Sequence, residues 1–235
     1  MPGWYNEYTQ NGAGRAERGM ETKEKNGRYI CVFGASSSNI DGEYFTAARR
    51  VGELIAERGF GMVFGAGDRG LMGAAARGFH SMNGRIIGVI PKKLNVPGVY
   101  FEHCTERIET ATMHERKALM EQLSDSFVAL SGGFGTLEEL MEVITLKQLG
   151  YHNKPIVIVN INGYYDSLLA QFDRCVTEGF TDPLFLRLFT VACDEDAVTE
   201  ALLHPADLQM PDKLEEVLLS SRFGGKVPPE TVLGE

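Results

Sequence analysis

The ten residues SGGFGTLEEL, from Ser131 to Leu140, restrict the fold of this 235-residue chain more than any other stretch of its sequence. The apolar run before them, 127–130, is typical of a buried parallel strand. After them, apolar residues recur at helical spacing up to Gln148, which predicts a helix. The glycines therefore lie where a strand turns into a helix. We expect them to adopt positive φ there and to let the backbone approach a ligand closely.

The start of this predicted helix is a candidate anion site, since free N–H groups and the positive end of the helix dipole meet there. We expect Gly132, Gly133, Gly135 and Thr136 to contact a phosphate. Glu139 follows Thr136 by three residues, and this spacing leaves two interpretations open. The pair fits a capping box, in which both side chains satisfy N–H groups of the helix start. A carboxylate beside an anion site also fits a catalytic group.

Strand-like and helical patterns alternate along most of the chain. This alternation predicts an α/β fold with one doubly wound, mostly parallel sheet in a single domain. The predicted strands span 28–33, 61–64, 85–90, 127–130, 155–159 and 188–192. Further helices are predicted at 43–58, 113–123, 164–176 and 195–203, whereas 91–110 is irregular. The domain is assigned to 27–204, between a flexible polar extension at 1–26 and a C-terminal helix with a frayed tail at 205–235.

The composition argues against several classes of function. A net charge of −9 disfavours sequence-independent binding to nucleic acid. No apolar run is long enough to cross a membrane, and no charged-then-apolar leader opens the chain, so we expect a cytoplasmic protein. The five histidines lack the spacing of metal ligands, and we expect neither a metal nor another cofactor.

The loop after the second predicted strand contains Gly65, Gly67 and Gly70 in a GxGxxG pattern, which suggests a dinucleotide site. Such a site also needs an acidic residue about 20 positions further on for the ribose. No Asp or Glu occurs between Arg69 and Phe101, so the usual NAD interpretation fails. We interpret the glycines as a close turn of helix onto strand at the mouth of a site, with Gly67 as a candidate substrate contact.

Two other segments supply candidate substrate contacts. Ser36 and Ser37 follow the first strand, where they fit either a phosphate contact or an ordinary loop that caps the next helix. The helix 113–123 leads into the strand before the glycine turn, which would bring Met113, Arg116 and Lys117 towards the site. The alternative for the two cations is a solvated face on which Lys117 pairs with Glu121. We expect four apolar residues of this helix and the next at a two-fold interface: Met120, Leu123, Leu140 and Ile144.

Four sequence blocks occur together and in order: GLMG at 70–73, GVIP at 88–91, MHERK at 113–117 and GGFGTLEEL at 132–140. In this combination the chain resembles the LOG (Lonely Guy) family, whose members are often labelled possible lysine decarboxylases. The resemblance implies a Rossmann-like homodimer that hydrolyses the N-glycosidic bond of adenine-type nucleoside 5′-monophosphates. The implied products are a free base, often a cytokinin, and ribose 5-phosphate.

The family motif PGGxGTxxE matches the segment from Ser131 to Glu139, which implies a catalytic role for that glutamate. The family's arginine and lysine match Arg116 and Lys117. Two departures stand out: Ser131 replaces the proline of the motif, and Ala66 replaces a glycine that is common in the second loop. Alanine accepts positive φ less readily than glycine does, so Ala66 is expected to shift that loop.

Cleavage of an N-glycosidic bond fits these residue types. The sugar becomes cation-like, so a carboxylate such as Glu139 would stabilise it and activate water. Arg116 stays protonated, and it would therefore bind phosphate or ribose rather than donate a proton. Two alternatives stay open: a non-catalytic carrier that binds a nucleotide or cofactor with the same loops, and an NADP-dependent enzyme that uses Lys92 and Lys93.

Overall fold

Seven parallel strands form one sheet, on which the described part of the chain, residues 27–205, is arranged in the computed structural model. The strands are β1 (Tyr29–Phe33), β2 (Gly61–Phe64), β3 (Ile86–Pro91), β4 (Glu106–Thr110), β5 (Ser126–Ala129), β6 (Ile156–Val159) and β7 (Thr190–Ala192). The helices are α1 (Gly42–Glu57), α2 (Gly70–Ser81), α3 (Met113–Leu123), α4 (Phe134–Gln148), α5 (Asp166–Thr177) and α6 (Glu195–Leu203). Short 3-10 helices lie at Lys92–Leu94, Ile161–Gly163 and Pro183–Arg187.

The strand order, β4-β3-β2-β1-β5-β6-β7, determines where a ligand can bind. After β1 the chain moves outward through β2 and β3 to β4, and it then returns to pair β5 with the other side of β1. The connections that follow β1 and β5 therefore lead away in opposite directions. In open parallel sheets, ligands bind in the crevice that such a switch point leaves at the carboxyl ends of the strands.

Both faces of the sheet are covered by helices, and β1 shows how alternate side chains serve two cores. Ile30 and Val32 pack in the core that includes residues of α1, α2 and α6. Cys31 and Phe33 point the other way, into the core that includes residues of α3 and α4, with α5 packed against it. This arrangement confirms the predicted doubly wound, parallel α/β fold.

β4 has no counterpart among the strands predicted from the sequence. Within the described part of the chain it is an edge strand that pairs with β3 alone, and four of its five residues keep some exposure. The segment ERIET therefore carries charged side chains where a buried strand would carry an apolar run. The predicted extension at 1–26, and all but the first residue of the predicted C-terminal segment 205–235, lie outside the described residues.

The residues that we expected at a two-fold interface are mostly used within one chain. Leu140 is 0% exposed, Met120 is 2% exposed and Ile144 is 7% exposed. All three belong to the core between the sheet and the α3–α4 pair, and Leu123 packs against its edge. The expectation is therefore wrong for these three side chains, because the single chain already removes them from water.

Lys147 on α4 is buried without a partner. It is 5% exposed, and no hydrogen bond or ion pair joins it to another described residue. Burial lowers the pKa of its ammonium group, because desolvation disfavours the charged form. Lys154, by contrast, donates from Nζ to the carbonyl oxygen of Glu121 at 2.7 Å.

We expect Lys147→Met to stabilise the protein by about 1 kcal/mol near neutral pH, since it removes a charge that burial desolvates and that no described residue pairs with. The pKa of Lys147 is lower in the folded chain than in the unfolded chain, where it is 10.5. The unfolded state therefore binds more protons, and the wild type gains stability as the pH rises towards 10.5. Urea unfolding of both proteins, from neutral pH upward, should show the advantage of the variant shrinking.

Lys154→Met is the matched control, because the same substitution there breaks a hydrogen bond and should destabilise the protein. A Lys147→Met protein that is no more stable than the wild type at neutral pH would contradict the role assigned to burial.

Candidate active site

A two-lobed cleft opens at the switch point between β1 and β5. One lobe, of about 340 Å³, lies between the loop after β1 and the start of α4, and we call it the glycine-turn lobe. The other, of about 480 Å³, lies between the β2–α2 loop and the segment after β3, and we call it the apolar lobe. The lobes adjoin, because four residues line both of them: Ser36, Met72, Met113 and Arg116.

Arg116 and Glu139 form a buried ion pair in the wall of the glycine-turn lobe. Nη1 of Arg116 lies 3.0 Å from Oε1 of Glu139, and the two side chains are 9% and 11% exposed. Nε of Arg116 also donates to the carbonyl oxygen of Val89, at 3.3 Å. The pair thus joins α3 to α4 and is tied to the end of β3, where the two lobes meet.

Two local features place Arg116. A Cβ atom at Gly65 would lie 1.7 Å from Nη2 of Arg116, so glycine is needed there to leave room for the guanidinium group. α3 begins directly after Thr112, whose side chain accepts from the N–H of Glu115 at 3.1 Å. The Glu115 carboxylate in turn accepts from the N–H of Ala111 at 2.9 Å. This cap fixes the start of the helix and with it the direction of Arg116, one turn later.

The environment of Glu139 sets its acidity. Burial raises the pKa of Glu139, and the guanidinium group of Arg116 opposes this rise. Burial and the charge of Glu139 raise the pKa of the Cys31 thiol, which therefore stays protonated. Glu139 thus combines a favourable partner for its charge with a reduced exposure to water, as expected of a carboxylate that acts as a base.

The glycines after β5 serve a different purpose from the one that we expected. Gly132, Gly133 and Gly135 do not adopt positive φ, so that expectation is wrong. A Cβ atom at Gly132 would lie 2.1 Å from Oγ1 of Thr136, whereas one at Gly133 or Gly135 would meet nothing within 4 Å. Since Gly133 and Gly135 line the lobe, their missing side chains keep the N–H groups at the start of α4 open to a ligand.

The capping-box interpretation of Glu139 is wrong. α4 begins at Phe134, three residues earlier than a box starting at Thr136 would place it. Gly133 is the N-cap residue, and no side chain caps the helix. Thr136 lies buried in the first turn, and the Glu139 carboxylate contacts Arg116 instead of the helix start.

The β2–α2 loop supports the loop after β1. Gly70 has a φ of +65°, and a Cβ atom there would lie 2.1 Å from the carbonyl oxygen of Ala35. The N–H of Leu71 donates to the same oxygen at 2.8 Å. The GxGxxG pattern thus forms the close packing turn that we inferred. Ala66 adopts a φ of +60°, a conformation that costs a non-glycine residue about 1 kcal/mol.

The structure brings most of the predicted site residues together. The lobes are lined by Ser36, Ser37, Gly67, Met113, Arg116, Gly133, Gly135, Thr136 and Glu139. Gly132 lies beneath the turn, in an adjoining hollow. Lys117 is absent from both lobes, because its Nζ pairs with Glu138 and Glu142 on α4 instead of with Glu121.

Sequence reasoning missed the residues that hold the glycine turn. The hydroxyl group of Tyr164 donates to the carbonyl oxygen of Gly132, and that of Tyr165 donates to the carbonyl oxygen of Leu130, both at 2.7 Å. Two adjacent tyrosines before α5 were the available signal, but helical spacing alone does not reveal what their hydroxyl groups contact. Phe134, 93% exposed at the edge of the glycine-turn lobe, was also missed.

Within residues 27–205, no group of three or more His, Cys, Asp or Glu side chains is arranged to hold a metal ion. No helix in the same range is long and apolar enough to cross a membrane.

Solved structures with the same fold are similar over most of the chain. The molybdenum cofactor binding protein from the phototrophic bacterium Rippkaea orientalis superposes with a TM-score of 0.60 at 21% identity, over 76% of this chain and 97% of that one. The molybdenum cofactor carrier protein from Chlamydomonas reinhardtii gives a TM-score of 0.58 at 22% identity, over 75% of this chain and 96% of that one. At such identities the likeness shows the fold alone.

Sequence relatives are more informative. The family described as "Possible lysine decarboxylase" matches residues 72–202. Cytokinin riboside 5′-monophosphate phosphoribohydrolase LOG2 of Arabidopsis thaliana is 42% identical over 173 residues, which cover 74% of this chain and 81% of that protein. The probable cytokinin riboside 5′-monophosphate phosphoribohydrolase LOGL5 of Oryza sativa subsp. japonica is 44% identical over 165 residues, with coverages of 70% and 67%. The chain therefore belongs to the LOG family, whose sequence signature carries the possible lysine decarboxylase description.

Proposed function

We propose that this protein is a nucleoside 5′-monophosphate phosphoribohydrolase, which splits adenine-type nucleotides into a free base and ribose 5-phosphate. The observation that carries the proposal is the buried Arg116–Glu139 pair, which lies where two lobes of different character adjoin. The printed names of its relatives from Arabidopsis thaliana and Oryza sativa, which are phosphoribohydrolases of cytokinin riboside 5′-monophosphate, support it.

The two lobes suit the two ends of a nucleotide. The glycine-turn lobe offers the N–H groups and the positive dipole end of α4 to the 5′-phosphate. The apolar lobe suits a purine and any alkyl group on it, since its lining includes Met72, Ile90, Leu94 and Val99. A nucleotide that spans both lobes would place its glycosidic bond beside Arg116, which lines both, and hence beside Glu139.

The proposed reaction uses the two side chains differently. As the bond between C1′ and the base breaks, its electron pair leaves with the base and the sugar becomes cation-like. The Glu139 carboxylate faces this positive charge and takes a proton from the water whose oxygen bonds to C1′. Arg116 stays protonated, so it binds an oxygen of the nucleotide and favours the ionised form of Glu139. The departing base takes its proton from a second water, and the hydroxide left behind takes up the proton held by Glu139, so that one water is consumed overall and the carboxylate is restored.

Product analysis tests this function. The purified protein is incubated with AMP and with N6-isopentenyl-AMP, and free base and ribose 5-phosphate are quantified. Equal amounts of both products would support hydrolysis, and the ratio of the two rates would show which base is preferred. If neither nucleotide releases base although both bind, the carrier alternative would replace the proposal, because a carrier needs the same loops but no carboxylate chemistry.

We expect Glu139→Gln to fold and to bind nucleotide while its turnover falls at least about a hundredfold, since the amide keeps the shape but neither balances a cation nor accepts a proton. In the wild type, kcat/KM should fall on the acid side as Glu139 is protonated. Because the pKa of Glu139 is raised, this loss should begin at a higher pH than an ordinary glutamate would give. Steady-state kinetics across the acid range measures both effects.

Glu57→Gln provides the matched control for this change. Glu57 lies on α1, on the opposite face of the sheet, and among residues 27–205 its ion pair is with exposed Arg50, at 3.4 Å. Its substitution should leave turnover within about twofold. A Glu139→Gln enzyme that works at a near-normal rate would show that Glu139 has no part in the chemistry.

The 5′-phosphate should anchor the substrate. We expect kcat/KM for adenosine to be roughly 30- to 1,000-fold below that for AMP, which corresponds to about 2–4 kcal/mol of lost charge-assisted contacts. Parallel assays of base release from the two compounds measure the ratio. Comparable kcat/KM values for adenosine and AMP would show that the glycine-turn lobe does not anchor the substrate through its 5′-phosphate.

We also propose that two copies associate through the outer side of α3 and α4, beside the cleft. Phe134 and Met141 are seven residues apart on α4 and therefore share a face. They are 93% and 37% exposed, and Met113 on α3 is 48% exposed. Apolar side chains at this exposure suit a self-complementary interface, which the core residues of the same helices do not.

Light scattering tests this assembly. We expect the wild type to have twice the mass of one chain at micromolar concentration, and Met141→Lys to shift it towards a single chain, because a buried unpaired charge is costly. Met82→Lys, at an equally exposed methionine after α2, is the control that should stay dimeric. A wild type with the mass of one chain would refute the proposal.

A cytoplasmic location and the lack of a nucleic-acid partner stay predictions from the sequence, the second on the net charge of −9.

A further inference from the structure

Lys117 lies next to Arg116 on α3 but belongs to a separate set of contacts. Its Nζ pairs with the carboxylates of Glu138 and Glu142 on α4, the second at 3.0 Å. The Lys117 side chain is only 13% exposed, although those of its partners are 56% and 40% exposed. The reaction described above gives these three residues no role.

The contacts of Lys117 lie directly beside the Arg116–Glu139 pair. Consecutive residues of α3, Arg116 and Lys117, contact consecutive residues of α4, Glu139 and Glu138. A shift of α3 relative to α4 would therefore alter both ion pairs together. The reacting pair depends on this spacing, because displacements near 1 Å in an active site are costly in rate.

Without Lys117, the charges of its two partners would be uncompensated beside the site. Glu138 and Glu142 are four residues apart on one helix, where like charges repel. Glu138 also lines the glycine-turn lobe, in which the 5′-phosphate is proposed to bind. An unpaired carboxylate there would repel both the phosphate and Glu139.

We propose that Lys117 is a positioning residue for the reaction: it neutralises Glu138 and Glu142, so that their charges do not disturb the spacing of α3 and α4 at which Arg116 meets Glu139. The proposal rests on the hydrolase function above. It replaces the direct substrate contact that we expected for Lys117 from the sequence.

The charges around Glu139 give this role a measurable signature. The titratable groups around it are Arg116, Lys117, His114 and Glu121 on α3, Glu138 and Glu142 on α4, and the Cys31 thiol on β1. Glu138 raises the pKa of Glu139, whereas Lys117 lowers it. Its two partners raise the pKa of Lys117, so it stays charged. Removal of this charge should therefore raise the pKa of Glu139 and move the acid limb of kcat/KM to higher pH.

Three variants separate positioning from substrate contact. Lys117→Met keeps the apolar stem without the charge, and we expect kcat/KM for AMP to fall roughly tenfold, with the acid limb at higher pH. Lys117→Arg keeps the charge and should retain most of the wild-type rate. The triple variant Lys117→Met, Glu138→Gln, Glu142→Gln removes the carboxylates as well, and it should regain both the rate and the wild-type acid limb.

Two results of these assays would contradict the proposal. If the triple variant is as slow as Lys117→Met, the loss does not come from uncompensated carboxylates, and the proposal fails. If Lys117→Met matches the wild type in rate and acid limb, the ion pairs are only surface bridges and the proposal also fails. The titration of the Glu139 carboxyl by NMR, without nucleotide, gives a readout that needs no turnover. A wild type that hydrolyses neither nucleotide would contradict the proposed function. A pKa of Glu139 that does not rise in Lys117→Met would contradict the role of Lys117.

Discussion

The contact between Arg116 and Glu139 is the interaction on which the rest of the site depends. Burial of two opposite charges is favourable only where the geometry is good and further hydrogen bonds satisfy the groups. Here Gly65 leaves the space for the guanidinium group, and the carbonyl oxygen of Val89 accepts from it. The order of the described strands then places this pair where the connections after β1 and β5 diverge, so that a cleft opens on it.

Much of the fold could be predicted from the sequence, because buried parallel strands appear in it as continuous apolar runs. The segments around β1, β2, β3, β5 and β6 are buried on both faces, and each was predicted within a residue or two at its ends. β4 escaped because an edge strand with charged side chains lacks that signal. Among the site residues, Arg116 and Glu139 were predicted for one site, although they lie 23 residues apart, because their helices flank one strand and both residues match the family's motifs.

The remaining features depend on distances that no local pattern contains. The glycines after β5 were expected to supply positive φ, but in the fold they supply space beside Thr136 and in the lobe. A capping box at Thr136 failed because the helix starts at Phe134, and a box needs its first residue outside the helix. The partners of Lys117 come from a second helix, so spacing along α3 alone pointed to Glu121 instead. For Glu139 and for Lys117, a contact between two helices replaced the expected contact within one.

The central claim is that the cleft holds a nucleotide with its phosphate at the start of α4 and its glycosidic carbon against Arg116 and position 139. A crystal structure of the Glu139→Gln protein with AMP measures this directly. We predict phosphate oxygens about 3 Å from the N–H groups between Gly133 and Thr136, the purine in the apolar lobe, and C1′ facing the side chain at position 139. A phosphate bound in the apolar lobe, or a C1′ atom that faces neither Arg116 nor position 139, would contradict the account.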